Sequence, residues 1–267
     1  MTNCLLIRTR WIATATTLAA LLATHAAVTS AQRKSLVIAV EDDAAPWSLK
    51  DGTGYANDVV IAAFKATGFD AELRVVPYAR CKRMVMNGDV PACFTMSPTP
   101  EFKELIEFSE KPLFSCYAGY FYNVDRPPKV RRQEQLSART VVGTVLGYEY
   151  PPEFEQLVQR SIVVTEQSPS EDINLKKLAM GRLDLALLNY NEMKTASWLI
   201  GKAGVTGKVK TTFRSGRLNS YIGFSKKHPD GLLALREFNR GFRLISGNGT
   251  LRRIKQEWTR KLAQQHH

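Results

Sequence analysis

Histidine and cysteine are scarce in this sequence, with four residues of each among 267. None of the histidines lies at metal-ligand spacing from a cysteine, so the sequence does not indicate a metal site. Paired carboxylates and a nucleophile with its base are also missing as patterns, so no enzyme class is indicated and no cofactor is expected. Repeats and low-complexity tracts are absent as well.

Long apolar runs are confined to the N-terminus. Arg8 and Arg10 precede an uncharged Ala- and Leu-rich run over 11–28, which ends in small residues up to Ala31. This run is shorter than the roughly 20 apolar residues that span a membrane, and it has the flanks of a secretory signal. We therefore expect residues 1–31 to be a signal peptide that is cleaved near Ala31. The alternative, an uncleaved transmembrane anchor, is disfavoured because nothing fixes its far side.

The rest of the chain carries no second run of membrane length, so no membrane anchor is expected. Cys4 lies before the apolar run rather than directly after it, which argues against a lipid anchor. Loss of Arg8 and Arg10 with the signal takes the formal net charge from +12 to +10. The basic residues are scattered, and an exported chain has no access to nucleic acid, so nucleic-acid binding is not expected.

Three cysteines remain after the signal, an odd number in an oxidising compartment. Cys81 and Cys93 flank a predicted helix, a turn and the start of a strand, so they could meet as a disulfide with Cys116 free. The alternative is that both are small buried residues that never bond.

Strands and helices alternate along the mature chain, which predicts an α/β fold with parallel pairing. The pattern runs once to about residue 96 and begins again near residue 140. The predicted strands cover 35–40, 71–76, 91–96, 117–122, 140–144, 162–165, 184–188 and 221–224. The predicted helices cover 58–67, 79–86, 151–160 and 171–180, then an amphipathic helix through Leu235, Phe238, Phe242 and Ile245, and a last helix capped by Thr250.

Several short motifs occur in an order that resembles family 3 of the bacterial extracellular solute-binding proteins, over nearly the whole mature chain. Each motif is weak alone, and their order carries the resemblance. They are Pro46-Trp47-Ser48 with Gly54-Tyr55-Ala56-Asn57-Asp58, Asn87-Gly88, Thr99-Pro100-Glu101, Glu107-Phe108-Ser109, Val142-Gly143 to Gly147, Gly181-Arg182-Leu183-Asp184, and Gly249-Thr250-Leu251 to Trp258.

The resemblance implies a type II periplasmic binding protein, with two doubly wound α/β lobes joined by two hinge strands. Lobe 1 would hold 33–117 and 219–267, and lobe 2 would hold 118–218. Such a protein is periplasmic and monomeric, captures a small molecule in the cleft without altering it, and delivers it to an ABC-type permease. A ligand that touches both lobes would favour the closed state.

Two positions at which the family usually holds an amino acid are changed here. Phe102 stands where the family has an arginine for the ligand carboxylate, and Asn189 stands where it has an acidic residue for the ligand ammonium. Arg80, or Lys103 next to Phe102, could supply the missing cation, so the sequence favours an anionic or uncharged polar ligand. The candidate ligand-binding residues are Glu41, Trp47, Tyr78, Arg80, Thr95, Ser97, Thr99, Thr144, Gly147, Tyr148 and Asn189.

Ordinary structural roles are the alternatives for three of these residues: packing at a helix start for Tyr78, a solvated charge for Arg80 and core packing for Trp47.

Other relatives of the fold are dehydratases of the cyclohexadienyl type. There, Glu149 or Glu41 would be the general acid if desolvation raised its pKa. A ligand-sensing accessory protein is a third possibility.

Overall fold

The computed structural model describes residues 34–264, so the predicted signal peptide over 1–31 lies outside the described residues. Strands and α-helices alternate through much of this part of the chain. The strands are β1 (Lys34–Glu41), β2 (Asp43–Ala44), β3 (Ser48–Leu49), β4 (Phe69–Val76), β5 (Ala92–Met96), β6 (Ile106–Phe108), β7 (Phe114–Asn123), β8 (Thr140–Val145), β9 (Val163–Ser168), β10 (Leu185–Tyr190) and β11 (Val209–Ser225). The helices are α1 (Tyr55–Ala66), α2 (Tyr78–Asn87), α3 (Pro152–Gln159), α4 (Glu171–Ala179), α5 (Ala196–Lys202), α6 (Gly231–Gly247) and α7 (Thr250–Gln264).

One large sheet runs in the order β4-β1-β5-β11-β7-β10-β8-β9, with β6 paired to β11. The predicted parallel pairing is confirmed in both halves of the sheet, where β1 pairs with β4 and β5, and β8 pairs with β9 and β10. β7 and β11 run antiparallel between these two parallel groups. The predicted α/β fold class is therefore confirmed.

The sequence-based element bounds needed several corrections. The strand predicted over 221–224 is only the end of β11, whose earlier part is rich in exposed polar residues and lacks an apolar pattern. The short elements β2, β3, β6 and α5 were not predicted. The last helix begins at Thr250, and the side chain of Asn248, the C-cap residue of α6, accepts from the Thr250 backbone N–H at 3.0 Å.

The amphipathic faces predicted for the two C-terminal helices pack onto α1 and the sheet. Phe238 of α6 lies 5.8 Å from Phe64 of α1, measured between ring centroids. On α7, the Trp258 indole N–H donates to Asp58 of α1 at 2.7 Å. None of the helices within residues 34–264 is both long and apolar enough to cross a membrane.

Cys81 and Cys93 are joined by a disulfide that links α2 to β5, and Cys116 is a buried free thiol.

Replacing both bonded cysteines by serine should lower the free energy of unfolding by about 2–4 kcal/mol, because the bond restricts the unfolded chain. Chemical denaturation measures this loss, with Cys116→Ala as the control that keeps the bond. Thiol titration of the denatured secreted protein should find one thiol, and three would contradict the pairing.

Candidate functional site

A cavity opens at the carboxyl-terminal ends of β1, β5, β8 and β10, the edge at which open α/β sheets place their ligand loops. Its free space, including the open mouth, is about 450 Å³. Residues two positions apart on β7 and on β11 complete the wall. The lining residues are Glu41, Ala44, Trp47, Tyr78, Thr95, Ser97, Phe114, Cys116, Tyr148, Glu149, Asn189, Lys194, Leu218 and Ser220.

Glu41 ends β1 and is 4% exposed. Its carboxyl accepts a hydrogen bond from the Tyr148 hydroxyl at 2.5 Å, and the Thr95 hydroxyl lies 3.0 Å from its other oxygen. Burial raises the pKa of Glu41 to about 8, because the loss of hydration outweighs the stabilisation of the carboxylate by these hydroxyls and by Lys194. Glu41 is therefore mainly protonated at neutral pH.

The backbone of Thr95 is strained at this site. Its φ of 70° is rarely adopted by a β-branched residue, and such outliers cluster at functional sites. The Thr95 hydroxyl has one hydrogen to share between Glu41 and the Phe94 carbonyl oxygen, which lies 2.6 Å away. The strained backbone thus holds the hydroxyl against the Glu41 carboxyl.

Glu149 follows β8, and its side chain is only 7% exposed. One oxygen accepts from the Tyr78 hydroxyl at 2.6 Å and from the Ser97 backbone N–H at 3.2 Å. The other accepts from the Lys82 ammonium at 2.9 Å. Desolvation raises the pKa of Glu149, and the charge of Lys82 opposes that rise. These bonds link the loop after β8 to α2 and to the end of β5.

Lys194 and Glu171 form a buried ion pair beside the cavity, with side-chain exposures of 2% and 10%. The other Glu171 oxygen accepts from the backbone N–H of Asn189 at 3.3 Å. The side-chain oxygen of Asn189 is buried and has no hydrogen-bond partner within the protein. Asn189 lines the cavity, so this unpaired oxygen lies beside the space that a ligand would occupy.

Aromatic rings form much of the remaining wall. Trp47 stacks on Phe114, with the ring centroids 4.0 Å apart and the planes 12° from parallel. Tyr78 meets Tyr148 edge-on at 5.4 Å. Gly54 fixes the Trp47 loop against the start of α1, because a Cβ at Gly54 would lie 2.2 Å from the Trp47 carbonyl oxygen.

The cavity brings together seven of the residues that the sequence suggested as ligand contacts. These are Glu41, Trp47, Tyr78, Thr95, Ser97, Tyr148 and Asn189. Their convergence follows from their positions at or just after strand ends, since parallel strands end at the same edge of a sheet.

The other four suggested residues do not line the cavity. Arg80 is exposed, because two residues along a helix turn a side chain about 200° away from the inward-facing Tyr78. Thr144 is buried within β8, and Thr99 borders a separate surface pocket. Gly147 instead allows the loop after β8 to approach α2 closely, since a Cβ added at this glycine would lie 3.3 Å from the Cβ of Ala79. The expectation that Arg80 binds the ligand is not supported by this placement.

The remaining lining residues were missed as ligand contacts, although Glu149 was considered as an acid. Phe114 and Cys116 on β7 lie opposite Ser220 and Leu218 on β11, so the two-residue period of paired strands could have signalled them. Lys194 lies five residues beyond Asn189 and reaches the same site.

Within residues 34–264, no group of three or more histidine, cysteine, aspartate or glutamate side chains could hold a metal ion.

Solved structures with a similar fold share low sequence identity with this chain. A histidine kinase sensor domain similar to periplasmic binding proteins is 20% identical, with a TM-score of 0.71 over 85% of this chain and 96% of its own. An ancestral arginine-binding protein bound to arginine is 18% identical, with a TM-score of 0.71 over 85% and 98%. An ancestral amino acid-binding protein, a precursor of cyclohexadienyl dehydratase, is 19% identical, with a TM-score of 0.67 over 85% and 96%.

These neighbours have the type II periplasmic binding fold, which confirms the predicted architecture. A comparison with curated protein sequences finds no significant match. The family model for bacterial extracellular solute-binding proteins, family 3, matches residues 36–261. The chain therefore belongs to family 3 of the bacterial extracellular solute-binding proteins.

Proposed function

We propose that this protein is a periplasmic receptor that captures a small polar solute between two lobes and delivers it to an ABC-type permease. In this proposal the lobes keep the bounds expected from the sequence, 33–117 with 219–267 for lobe 1 and 118–218 for lobe 2. The observation that carries the proposal is that polar groups from both segments converge on one cavity. Tyr148 donates to Glu41, and Tyr78 donates to Glu149, across 107 and 71 residues of sequence.

Closure is the step that these bonds would stabilise. Glu149 bonds with Tyr78, Lys82 and Ser97 only when the two segments are in contact. A ligand in the cavity adds contacts to both segments and so shifts the equilibrium toward the closed state. A permease that binds the closed state could then distinguish the loaded receptor from the empty one.

A solute that binds should compact and stabilise the purified protein. At free ligand of about 100 times Kd, linkage adds about 2.7 kcal/mol to the free energy of unfolding. Thermal shift identifies the solute from amino acids, organic acids, aromatic acids, amines and sugars. Small-angle scattering should then show a smaller radius of gyration, while a solute without a thermal shift is the matched control. An unchanged radius at saturation would contradict capture by closure.

The raised pKa of Glu41 supports a second candidate, a dehydratase of the cyclohexadienyl type. A carboxyl that stays protonated at neutral pH can donate a proton to a leaving group. Such a substrate also carries carboxylates, which would need a cation in the cavity. Phe102 stands at the arginine position and is fully buried in the core, so this position offers no cation and counts against the dehydratase. Consumption of prephenate by the parent protein, abolished by Glu41→Gln, would identify this second function, and no consumption supports the receptor.

A further inference from the structure

The charged side chains around the cavity leave a carboxyl without a cationic partner. Among the described lining residues, Lys194 pairs with Glu171, and Glu149 pairs with Lys82. Each ammonium therefore already has its own carboxylate. The Glu41 carboxyl instead has the hydroxyls of Tyr148 and Thr95 as its partners. The chain as a whole is strongly basic, so the presence of one more carboxyl than ammonium groups is a local property of the site.

A ligand carboxylate would find no uncommitted cation among the residues that line this cavity. Phe102 occupies the usual arginine position and is buried against Phe108, with ring centroids 6.0 Å apart. Arg80 is exposed outside the cavity, and Lys82 is held by Glu149. A buried charge without a partner is unfavourable, so this site would reject a carboxylate, contrary to the anionic ligand that the sequence favoured.

The same walls suit a positive charge. Trp47, Phe114 and Tyr148 contribute aromatic rings, and such rings attract ammonium groups in desolvated sites. The Tyr78 ring already has the Lys82 ammonium 5.3 Å from its centroid. The buried oxygen of Asn189 has no hydrogen-bond partner and can accept from an N–H donor. A carboxyl, a free amide oxygen and aromatic rings around one space match a cationic nitrogen on an organic body.

We propose that the site takes an organic ammonium ion that lacks a carboxylate, with Glu41 as its counter-ion and the Asn189 oxygen as a further acceptor. This inference rests on the proposed receptor function and assigns the ligand class of the same site. While the two segments are in contact and the cavity is empty, the buried Glu41 carboxyl holds a proton. On binding, that proton leaves to the solvent as the carboxylate pairs with the ammonium. Lys194 and Glu171 lie near enough to act on Glu41 electrostatically, but their opposite charges oppose each other there.

Matched pairs of an amino acid and its decarboxylated amine test the ligand class directly. We would use arginine with agmatine, lysine with cadaverine, and tyrosine with tyramine, each at pH 7. At least one amine should raise the melting temperature and bind at least about tenfold more tightly than its parent, since only the parent brings a carboxylate. An amino acid that binds as tightly as its amine, or tighter, would overturn the inference while leaving the receptor function intact.

If none of the six probes binds, the ammonium inference is overturned. The receptor function then stands or falls separately on the organic acids and sugars of the wider thermal-shift screen.

Proton release provides a second measurement that does not depend on a variant folding. Calorimetry of the tightest amine in phosphate and in Tris buffer should show release of close to one proton at pH 7. Glu41→Gln should abolish that release and weaken binding at least about tenfold, because a charged partner is lost. Glu110→Gln is the matched control, since Glu110 is an exposed carboxylate paired with Arg243, and it should bind within about twofold of the parent. Binding by the parent without proton release would contradict the role of Glu41.

Discussion

Lys194→Met should lower the free energy of unfolding by about 3–5 kcal/mol, the range for removing one partner of a buried ion pair. The Lys194 side chain is 2% exposed and bonds with Glu171, whose other oxygen accepts from Asn189. Methionine fills nearly the same volume without the charge, so the loss comes from a buried carboxylate left without its ammonium. Urea denaturation at pH 7 measures the change.

A double variant separates the charge effect from a packing effect. Glu171→Gln combined with Lys194→Met removes both charges and should recover most of the lost stability, because an uncompensated charge no longer remains. Lys202→Met breaks the more exposed pair with Asp172 and should cost no more than about 1 kcal/mol. If Lys194→Met alone stays within about 1 kcal/mol of the parent, the buried pair does not contribute as described.

The fold could be predicted because its main signals are local. Short β-branched runs gave β1 and β8, apolar faces at helical spacing gave α1 and α6, and Gly88 ends α2 in the left-handed conformation that glycine readily adopts. β11 was mostly missed, because long antiparallel pairing with β7 rather than an apolar pattern keeps it extended.

The candidate site was predicted where strand ends alone fix a position, and it was missed where distant partners decide it. Glu41 could be chosen because it ends the first strand. Its protonated state depends on burial, which outweighs the hydrogen bond from Tyr148, 107 residues away in sequence, that stabilises the carboxylate. Arg80 was chosen for its nearness to Tyr78 in the chain, but the turn of α2 directs the two side chains apart. The Lys194 and Glu171 pair joins residues 23 apart, and no short motif marks it.

With the two segments in contact, as in this structure, the stability of the ligand-free protein should depend on the ionisation of Glu41 between about pH 4.5 and pH 8. Folding raises the pKa of this group from 4.5 to about 8. In that window the unfolded chain loses the proton while the folded protein keeps it, so the folded state binds more protons. The contribution of Glu41 to stability is therefore fully present below pH 4.5 and is lost as the pH rises toward 8.

Glu41→Gln should remove this loss, because glutamine has nearly the same shape and does not ionise. As the pH rises from 4.5 to 8, the difference in unfolding free energy should shift in favour of the variant by up to about 4 kcal/mol, at about 1.4 kcal/mol per pKa unit. Thermal or urea unfolding across this range, without ligand, measures the difference between parent and variant.

Subtracting the two curves isolates Glu41 from the other groups at the site. Glu149 also has a raised pKa, but it is present in both proteins and cancels in the difference. Tyr148, Lys194 and Glu171, which act on the Glu41 carboxyl, are likewise unchanged by the substitution. Glu110→Gln removes an exposed carboxyl and should show no comparable drift over the same range. A constant difference between Glu41→Gln and the parent from pH 4.5 to 8 would mean that Glu41 is ionised in the folded protein, and its burial would then have to be offset by a cation at the site.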